Sequence, residues 1–157
     1  MVKTNLKNFI IIFCIFLVDR ISKIFVVNKV YQLEQNQIFS SRFINIELIW
    51  NKGIAFGLFS FDEKNYYNYM SILIVIITII VFFLMIRSKG KEKIGFSMIV
   101  GGSLGNLFDR LVYSSVPDFI DIHINNYHWF IFNVADIFIT IGVMLLIYSE
   151  IYLKEKA

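Results

Sequence analysis

The feature that most constrains the fold of this chain is an uncharged run from Asn65 to Ile86. Its core, YMSILIVIITIIVFFLMI, is long enough as a helix to cross the roughly 30 Å hydrocarbon layer of a bilayer at about 1.5 Å per residue. The whole chain agrees, because 57% of its 157 residues are hydrophobic and its mean hydropathy is +0.67. A water-soluble domain is usually less apolar. The sequence therefore predicts an integral membrane protein.

Three further apolar segments resemble membrane helices, but ionisable residues lie within the first and last of them and directly after the middle one, at Asp109 and Arg110. They run from Asn8 to Val27, from Ile94 to Phe108 and from Trp129 to Ile151. The sequence predicts a membrane α-helical fold, a bundle of four transmembrane helices at about 8–28, 66–87, 93–112 and 129–152. We expect a single domain covering residues 1–157.

Lysine and arginine residues set the expected orientation of the helices. They occur at Lys3 and Lys7, in the link RSKGKEK (Arg87–Lys93), and at Lys154 and Lys156. The positive-inside rule makes these segments and both termini cytoplasmic, with about 28–65 and 111–128 on the other side. The loops explain the net charge of +3, and no nucleic-acid partner is expected.

The N-terminal segment resembles a signal peptide, with two lysines before NFIIIFCIFLV. No small-x-small cleavage site follows it, so we expect a retained first helix. Its single cysteine, Cys14, excludes an internal disulfide and a cysteine-ligated metal site. We expect a buried structural thiol there.

The segment between the first two helices predicts a small extracytoplasmic β-sheet at about 30–60. Phe43–Trp50 reads FINIELIW, and its alternation of apolar and polar residues is typical of a half-buried strand. The NKG that follows is a turn signal, and IAFGLF is a candidate second strand. The sheet is either a cap over the helix ends or a platform for an extended substrate, and the sequence leaves both open.

Polar residues share a face on three of the four predicted helices, at spacings of three and four. Charge within a bilayer costs about 2.5–3.5 kcal/mol per residue on insertion scales, so such residues normally face the protein interior. We expect the three stripes to converge on one site. Their members are Asp19, Ser22 and Lys23; Gly102, Gly105, Asn106, Asp109 and Arg110; and Asn133, Asp136 and Thr140.

Two aspartates are candidates for catalysis. Asp118 follows the third helix, where Pro117 disfavours further helix. Asp136 is expected seven residues into the fourth helix, roughly 10 Å below the same surface. Two adjacent carboxylates hold a shared proton, which is the machinery of an aspartic protease. The spacing leaves open that Asp136 is only an ion-pair partner of Lys23 or Arg110.

No competing catalytic arrangement of Ser–Lys, Ser–His or Cys–His stands out. The two histidines, His123 and His128, lack the spacing of HExxH sites and are interpreted as interface residues, so neither a metal nor a cofactor is expected. Two other classes stay open. A proton-coupled transporter also uses intramembrane carboxylates, and a non-catalytic protein that binds signal helices needs only the pocket.

Five motifs together resemble lipoprotein signal peptidase, also called signal peptidase II. They occur in that family's order and spacing over about Asp19 to Gly142. They are DRISK (Asp19–Lys23), NKGIAFG (Asn51–Gly57), GGSLGNLFDR (Gly101–Arg110), VPDF (Val116–Phe119) and FNVAD (Phe132–Asp136).

The resemblance implies a bacterial inner-membrane aspartic peptidase with four helices, cytoplasmic termini and a small extracytoplasmic sheet. It implies removal of signal peptides from prolipoproteins, on the N-terminal side of a cysteine that carries diacylglyceryl. The catalytic aspartates would be Asp118 and Asp136. Pocket positions would be Asn51, Gly53, Asn106, Arg110 and Asn133, and more structural ones Asp19, Lys23 and Asp109. The expected partners are the prolipoprotein and the lipid bilayer, and a monomer is expected.

Three positions depart from the family's common pattern. Ser103 stands where alanine is usual, Phe130 stands where many members have proline, and Pro117 replaces an aliphatic residue. None of these changes removes a carboxylate. We expect Ser103 to be tolerated, and Phe130 to affect the shape of the pocket more than its chemistry.

Overall fold

A computed structural model describes residues 2–53 and 64–153. These described residues form four helices and four strands, with the strands in two pairs. In order they are α1 (Val2–Leu33), β1 (Gln37–Ser40), β2 (Ile44–Asn51), α2 (Lys64–Arg87), α3 (Gly90–Tyr113), β3 (Val116–Ile124), β4 (Tyr127–Phe132) and α4 (Val134–Tyr148), which continues as a π-helical turn over Ser149–Leu153. The predicted strand IAFGLF lies outside the described residues.

The third helix is the centre of the helical part, since α3 packs against α1, α2 and α4. Glycines allow this close approach. A Cβ atom on Gly102 would lie 2.5 Å from the backbone oxygen of Ala135 on α4, and one on Gly105 would lie 2.5 Å from Oδ2 of Asp19 on α1. A larger residue at position 102 would push α3 and α4 apart, and one at position 105 would displace the Asp19 carboxylate.

Large apolar side chains cover the outer faces of the helices while polar ones are buried, the reverse of a water-soluble protein. Exposed examples are Phe13, Phe25, Ile80, Phe83 and Met144. Cys14 lies on this exposed surface, so the expected burial of its thiol is wrong. At 100° per residue it is about 140° around α1 from the buried Asp19.

By length and composition, one helical segment among the described residues suffices to cross a bilayer. It is Val134–Ile151, with 18 residues and a mean hydropathy of 1.9; a shorter apolar helix is Ser71–Arg87. Buried charges lower the hydropathy of α1 and α3. The four membrane crossings therefore stay a prediction.

The sheet is antiparallel with the strand order β1-β2-β3-β4. The predicted strand at Phe43–Trp50 corresponds to β2. The expectation that the sheet comes from the segment between the first two helices alone is wrong, because β3 and β4 follow α3. The sheet packs on the end of α1 through Val26, Val30, Leu48 and Phe119.

Two helix boundaries differ from the sequence prediction. The first helix extends to Leu33 rather than ending near residue 28. The fourth was expected from residue 129, yet Tyr127–Phe132 pairs with β3 and α4 begins at Val134. An apolar strand of this length cannot be told from the start of an apolar helix by composition.

Candidate active site

Asp118 lies on β3, where two asparagine amides hold its carboxylate. Asn51, at the end of β2, donates from Nδ2 to Oδ2 over 2.8 Å. Asn133, directly before α4, donates from Nδ2 to Oδ1 over 2.6 Å. The residue is only 3% exposed. The pairing of β2 with β3, in which Asn51 lies opposite Val116, brings the first donor within reach.

Asp136 lies in the first turn of α4. Its Oδ2 accepts a hydrogen bond from the backbone N–H of Asn133 over 3.1 Å, and the Asn133 side chain accepts one from the N–H of Asp136 over 3.2 Å. This capping box satisfies two backbone N–H groups that a helix start leaves unpaired. The expected depth of seven residues is therefore wrong, because β4 occupies the residues that were read as helix.

Asn133 joins the two carboxylates, since it donates to Asp118 and caps the helix turn that carries Asp136. Burial, and then the negative charge of Asp136, raise the pKa of Asp118 from 3.8 to about 6, although hydrogen bonds from Asn51 and Asn133 oppose that rise. A neutral Asp118 is therefore accessible near neutral pH. The structure places the two aspartates together, as the sequence predicts.

Both aspartates line a cavity of about 480 Å³ that is polar at one end and apolar at the other. Its polar end also contains Asn51, Asn106, Arg110 and Asn133. The apolar part is lined from two helices, by Ile74 and Ile77 of α2 and by Ile139, Val143 and Met144 of α4. Such a shape suits a substrate with a polar bond next to an apolar segment.

The NKG turn after β2 is held against α3 by Arg110. The guanidinium donates to the backbone oxygen of Gly53 over 3.0 Å and to that of Asn106 over 3.3 Å. The backbone N–H of Gly53 in turn donates to Oδ1 of Asn51 over 2.8 Å. Arg110 therefore helps to orient the amide that holds Asp118, and all five predicted pocket residues meet here.

The predicted structural residues form a buried ion cluster, which consists of Asp19, Arg20, Lys23 and Asp109. Nζ of Lys23, which is 1% exposed, lies 2.7 Å from Oδ2 of Asp109 and 3.0 Å from Oδ2 of Asp19. Arg20 bonds both oxygens of Asp109 and also Asp19, at 2.8 Å. Arg20 was not among the predicted site residues, although it lies within DRISK.

The ion cluster touches the candidate site at two points. Nζ of Lys23 donates to Oδ1 of Asn106 over 2.8 Å, so the amide nitrogen of Asn106 faces Asp136 and donates to its Oδ1 over 2.8 Å. Oδ1 of Asp19 accepts from the backbone N–H of Ala135 over 3.0 Å. Lys23 thus reaches Asp136 through an asparagine, and its direct ion pairs are with Asp19 and Asp109.

A second group of polar side chains lies on the other face of β3. Asp121 accepts hydrogen bonds from Asn45 over 3.0 Å and is bonded to Nδ1 of His128 over 2.8 Å. His123 lies beside them. Successive strand residues face opposite sides, so Asp121 is directed away from Asp118. This group was not predicted from the sequence, because only the pairing of β3 with β4 brings the histidines together.

The family model described as Signal peptidase (SPase) II matches residues 11–152. The chain belongs to the signal peptidase II family. It is 48% identical over 159 residues to a lipoprotein signal peptidase of Pelagibacter ubique (strain HTCC1062), which covers 98% of this chain and 95% of that one. It is 42% identical to that of Wigglesworthia glossinidia brevipalpis, over 92% of this chain and 94% of the other.

A solved bacterial membrane enzyme has the same fold, with a TM-score of 0.75 and 27% sequence identity over 96% of this chain and 90% of that one. Membership of the signal peptidase II family makes the chain a peptidase of bacterial membranes. The family resemblance seen in the five sequence motifs is thereby confirmed. Members of the lipoprotein signal peptidase family remove signal peptides from prolipoproteins.

Proposed function

We propose that the chain is an aspartic endopeptidase in which Asp118 and Asp136 activate one water molecule. The observation that carries the proposal is the bridge formed by Asn133, which ties two buried carboxylates together at the polar end of the cavity. Carboxylates in such proximity share one proton. Because burial raises the pKa of Asp118 to about 6, we assign the shared proton to Asp118 and the role of base to Asp136.

In the proposed reaction Asp136 takes a proton from water while the water oxygen forms a bond to the scissile carbonyl carbon. Asp118 donates its proton to the carbonyl oxygen, so little negative charge accumulates there. The carbon–nitrogen bond then breaks as Asp136 passes its proton to the departing nitrogen, and Asp118 recovers its own proton from the collapsing intermediate. No acyl-enzyme intermediate forms.

The proposed substrate is a diacylglyceryl-modified prolipoprotein, cut on the N-terminal side of the lipidated cysteine. Its signal helix is apolar, and the apolar part of the cavity between α2 and α4 is lined by side chains that such a helix could contact. The scissile bond would then lie beside the two aspartates. Arg110 and the asparagines would fix the aspartates and the turn rather than react.

We propose four membrane crossings in the bacterial inner membrane, with both termini cytoplasmic and the site near the extracytoplasmic face. The belt of exposed apolar side chains around the helices supports this arrangement, as does the distribution of lysine and arginine. The sheet would then lie outside the hydrocarbon layer, above the polar end of the cavity. A monomer contains every residue of the proposed mechanism.

The test is cleavage of a diacylglyceryl-modified prolipoprotein by purified protein in detergent, with a chelator present. We expect Asp118→Asn and Asp136→Asn each to lower the cleavage rate by about 10²–10⁴-fold, the usual contribution of general acid–base groups. Glu34→Gln changes a carboxylate that is exposed at the end of α1 and serves as the matched control. Full activity of either aspartate variant would contradict the mechanism.

The same variants separate a peptidase from a protein that only binds signal helices. Asp118→Asn removes one proton-transfer group and keeps the apolar cavity, so binding of a fluorescent signal peptide should persist while cleavage is lost. Equal loss of binding and cleavage, with the thermal melt unchanged, would instead make Asp118 a binding residue.

A further inference from the structure

Three ligand-type side chains converge on the face of β3 that does not carry Asp118. They are Asp121, His123 and His128, named here the His–Asp cluster. His123 and His128 are register partners across the β3–β4 hairpin, and their rings stack with centroids 5.0 Å apart and an interplanar angle of 21°. One ligand atom from each of the three residues lies within 4.8 Å of the others.

Two atoms of the His–Asp cluster are buried without a hydrogen-bond partner among the described residues. They are Oδ1 of Asp121 and Nδ1 of His123. The Asp121 side chain is 2% exposed and the His123 side chain 10%. Buried polar atoms are normally paired, and the bond between His128 and Asp121 satisfies neither of these two. A single ligand that accepts electron pairs from both atoms would satisfy them together.

We propose that the His–Asp cluster binds a zinc ion. Two imidazoles and one carboxylate, with an open fourth position, form a recurrent zinc donor set, whereas calcium and magnesium prefer sites made of oxygen atoms. Nδ1 of His128 lies 2.8 Å and Nδ1 of His123 lies 3.7 Å from Oδ2 of Asp121. Ligands at about 2.0–2.2 Å around a tetrahedral ion lie roughly 3.3–3.6 Å apart, so small side-chain rotations suffice.

Two features of the surroundings suit a metal site. Asn45 on β2 donates to Oδ2 of Asp121 over 3.0 Å, which is the kind of supporting hydrogen bond that orients a metal-binding carboxylate. The His128 side chain is 55% exposed, so an ion can enter from solvent. A bound ion would join β3 to β4 within three residues of Asp118, on the opposite face of the strand.

Full-length protein in detergent, purified without a histidine tag, tests the proposal by isothermal titration with zinc chloride at pH 7.5. We expect one zinc per chain at micromolar protein concentration, and an affinity about tenfold or more weaker in Asp121→Asn and in His128→Ala. His128 is exposed, so that variant should fold. Asp118→Asn, which changes a carboxylate on the other face of the same strand, should keep the zinc affinity within about twofold.

Cobalt chloride provides an independent readout, since a tetrahedral cobalt site absorbs visible light and His123→Ala should abolish that band. Absence of zinc uptake by the wild type would overturn the proposal, and so would an affinity that is the same in Asp121→Asn and His128→Ala as in the wild type. Prolipoprotein cleavage is measured separately and does not decide it, because the proposed peptidase mechanism uses none of these three residues.

Discussion

Replacing Asn133 by serine separates two tasks that this one side chain performs. Its oxygen caps α4 by accepting from the N–H of Asp136, and its amide nitrogen donates to Asp118. Serine is as good an N-cap as asparagine, but its single hydroxyl cannot cap the helix and reach Asp118 in the same way. We therefore expect Asn133→Ser to fold and to lose the bond to Asp118.

The size of the effect follows from that lost bond. A hydrogen bond to a charged group contributes about 1.5–3 kcal/mol, and Asn51 still holds the other oxygen of Asp118. We call Asp118 and Asp136 together the dyad. If the bond orients the dyad in the transition state, cleavage slows by about 10- to 150-fold, at 1.36 kcal/mol per factor of ten. The helix cap survives, so the 0.5–2 kcal/mol that loss of a cap costs is not added, and the unfolding free energy should fall by no more than the about 1.5–3 kcal/mol of the lost bond.

The pH profile gives a second signature. Hydrogen bonds from Asn51 and Asn133 favour the charged form and lower the pKa of Asp118, while burial keeps it raised at about 6. Removing one donor raises that pKa further. Because the proposed mechanism needs a protonated Asp118, cleavage is lost as pH rises through this pKa, and in Asn133→Ser that loss should move to higher pH.

The assay is the initial rate of prolipoprotein cleavage from pH 4 to pH 9, together with a thermal melt in the same detergent. Asn36→Ser, at an exposed asparagine in the turn after α1, is the matched control and should behave like the wild type. A wild-type rate and an unchanged pH profile in Asn133→Ser would refute the reasoning that Asn133 positions the dyad.

Two further predictions concern stability. Gly102→Ala should lower the melting temperature and the cleavage rate together, since the new Cβ would lie 2.5 Å from the backbone oxygen of Ala135; an unchanged melt would mean that α3 and α4 can separate freely. Lys23→Met should cost about 3–5 kcal/mol of unfolding free energy because it removes one of the two cations that pair with the buried carboxylates of Asp19 and Asp109 and leaves them with Arg20. Lys89→Met, at an exposed lysine before α3, is its control, and equal denaturant midpoints for the two variants would contradict the prediction.

The convergence of the polar residues was predictable because helical spacing is regular. Asp19 and Lys23 occupy one face of α1, and Asn106 and Asp109 one face of α3, and charged faces in an apolar chain must meet one another. The structure pairs Lys23 with Asn106 and Asp109 accordingly. The juxtaposition of Asp118 and Asp136 was predicted from the side on which the last helix enters and from a depth of Asp136 that the structure corrects.

The features that could not be predicted from the sequence are those that depend on strand pairing. Trp129–Phe132 is apolar, so nothing local distinguishes the strand β4 from a first helical turn, and the depth of Asp136 was misjudged as a result. The same pairing joins His123 to His128. Five residues apart, they have no common face in a helix, and only the hairpin register with its turn at Asn125 and Asn126 unites them.

The pairing of β2 with β3 determines how late in synthesis the candidate site is complete. The side chain of Asn51 on β2 donates to Asp118 on β3, yet two complete helices separate these residues along the chain. Asn133 and Asp136 leave the ribosome later still. A nascent chain that ends after β3 therefore holds one of the two aspartates of the proposed mechanism and lacks Asn133, which bridges them. In the proposed mechanism, proteolytic competence therefore arises at a single late step, after the last helix has been made.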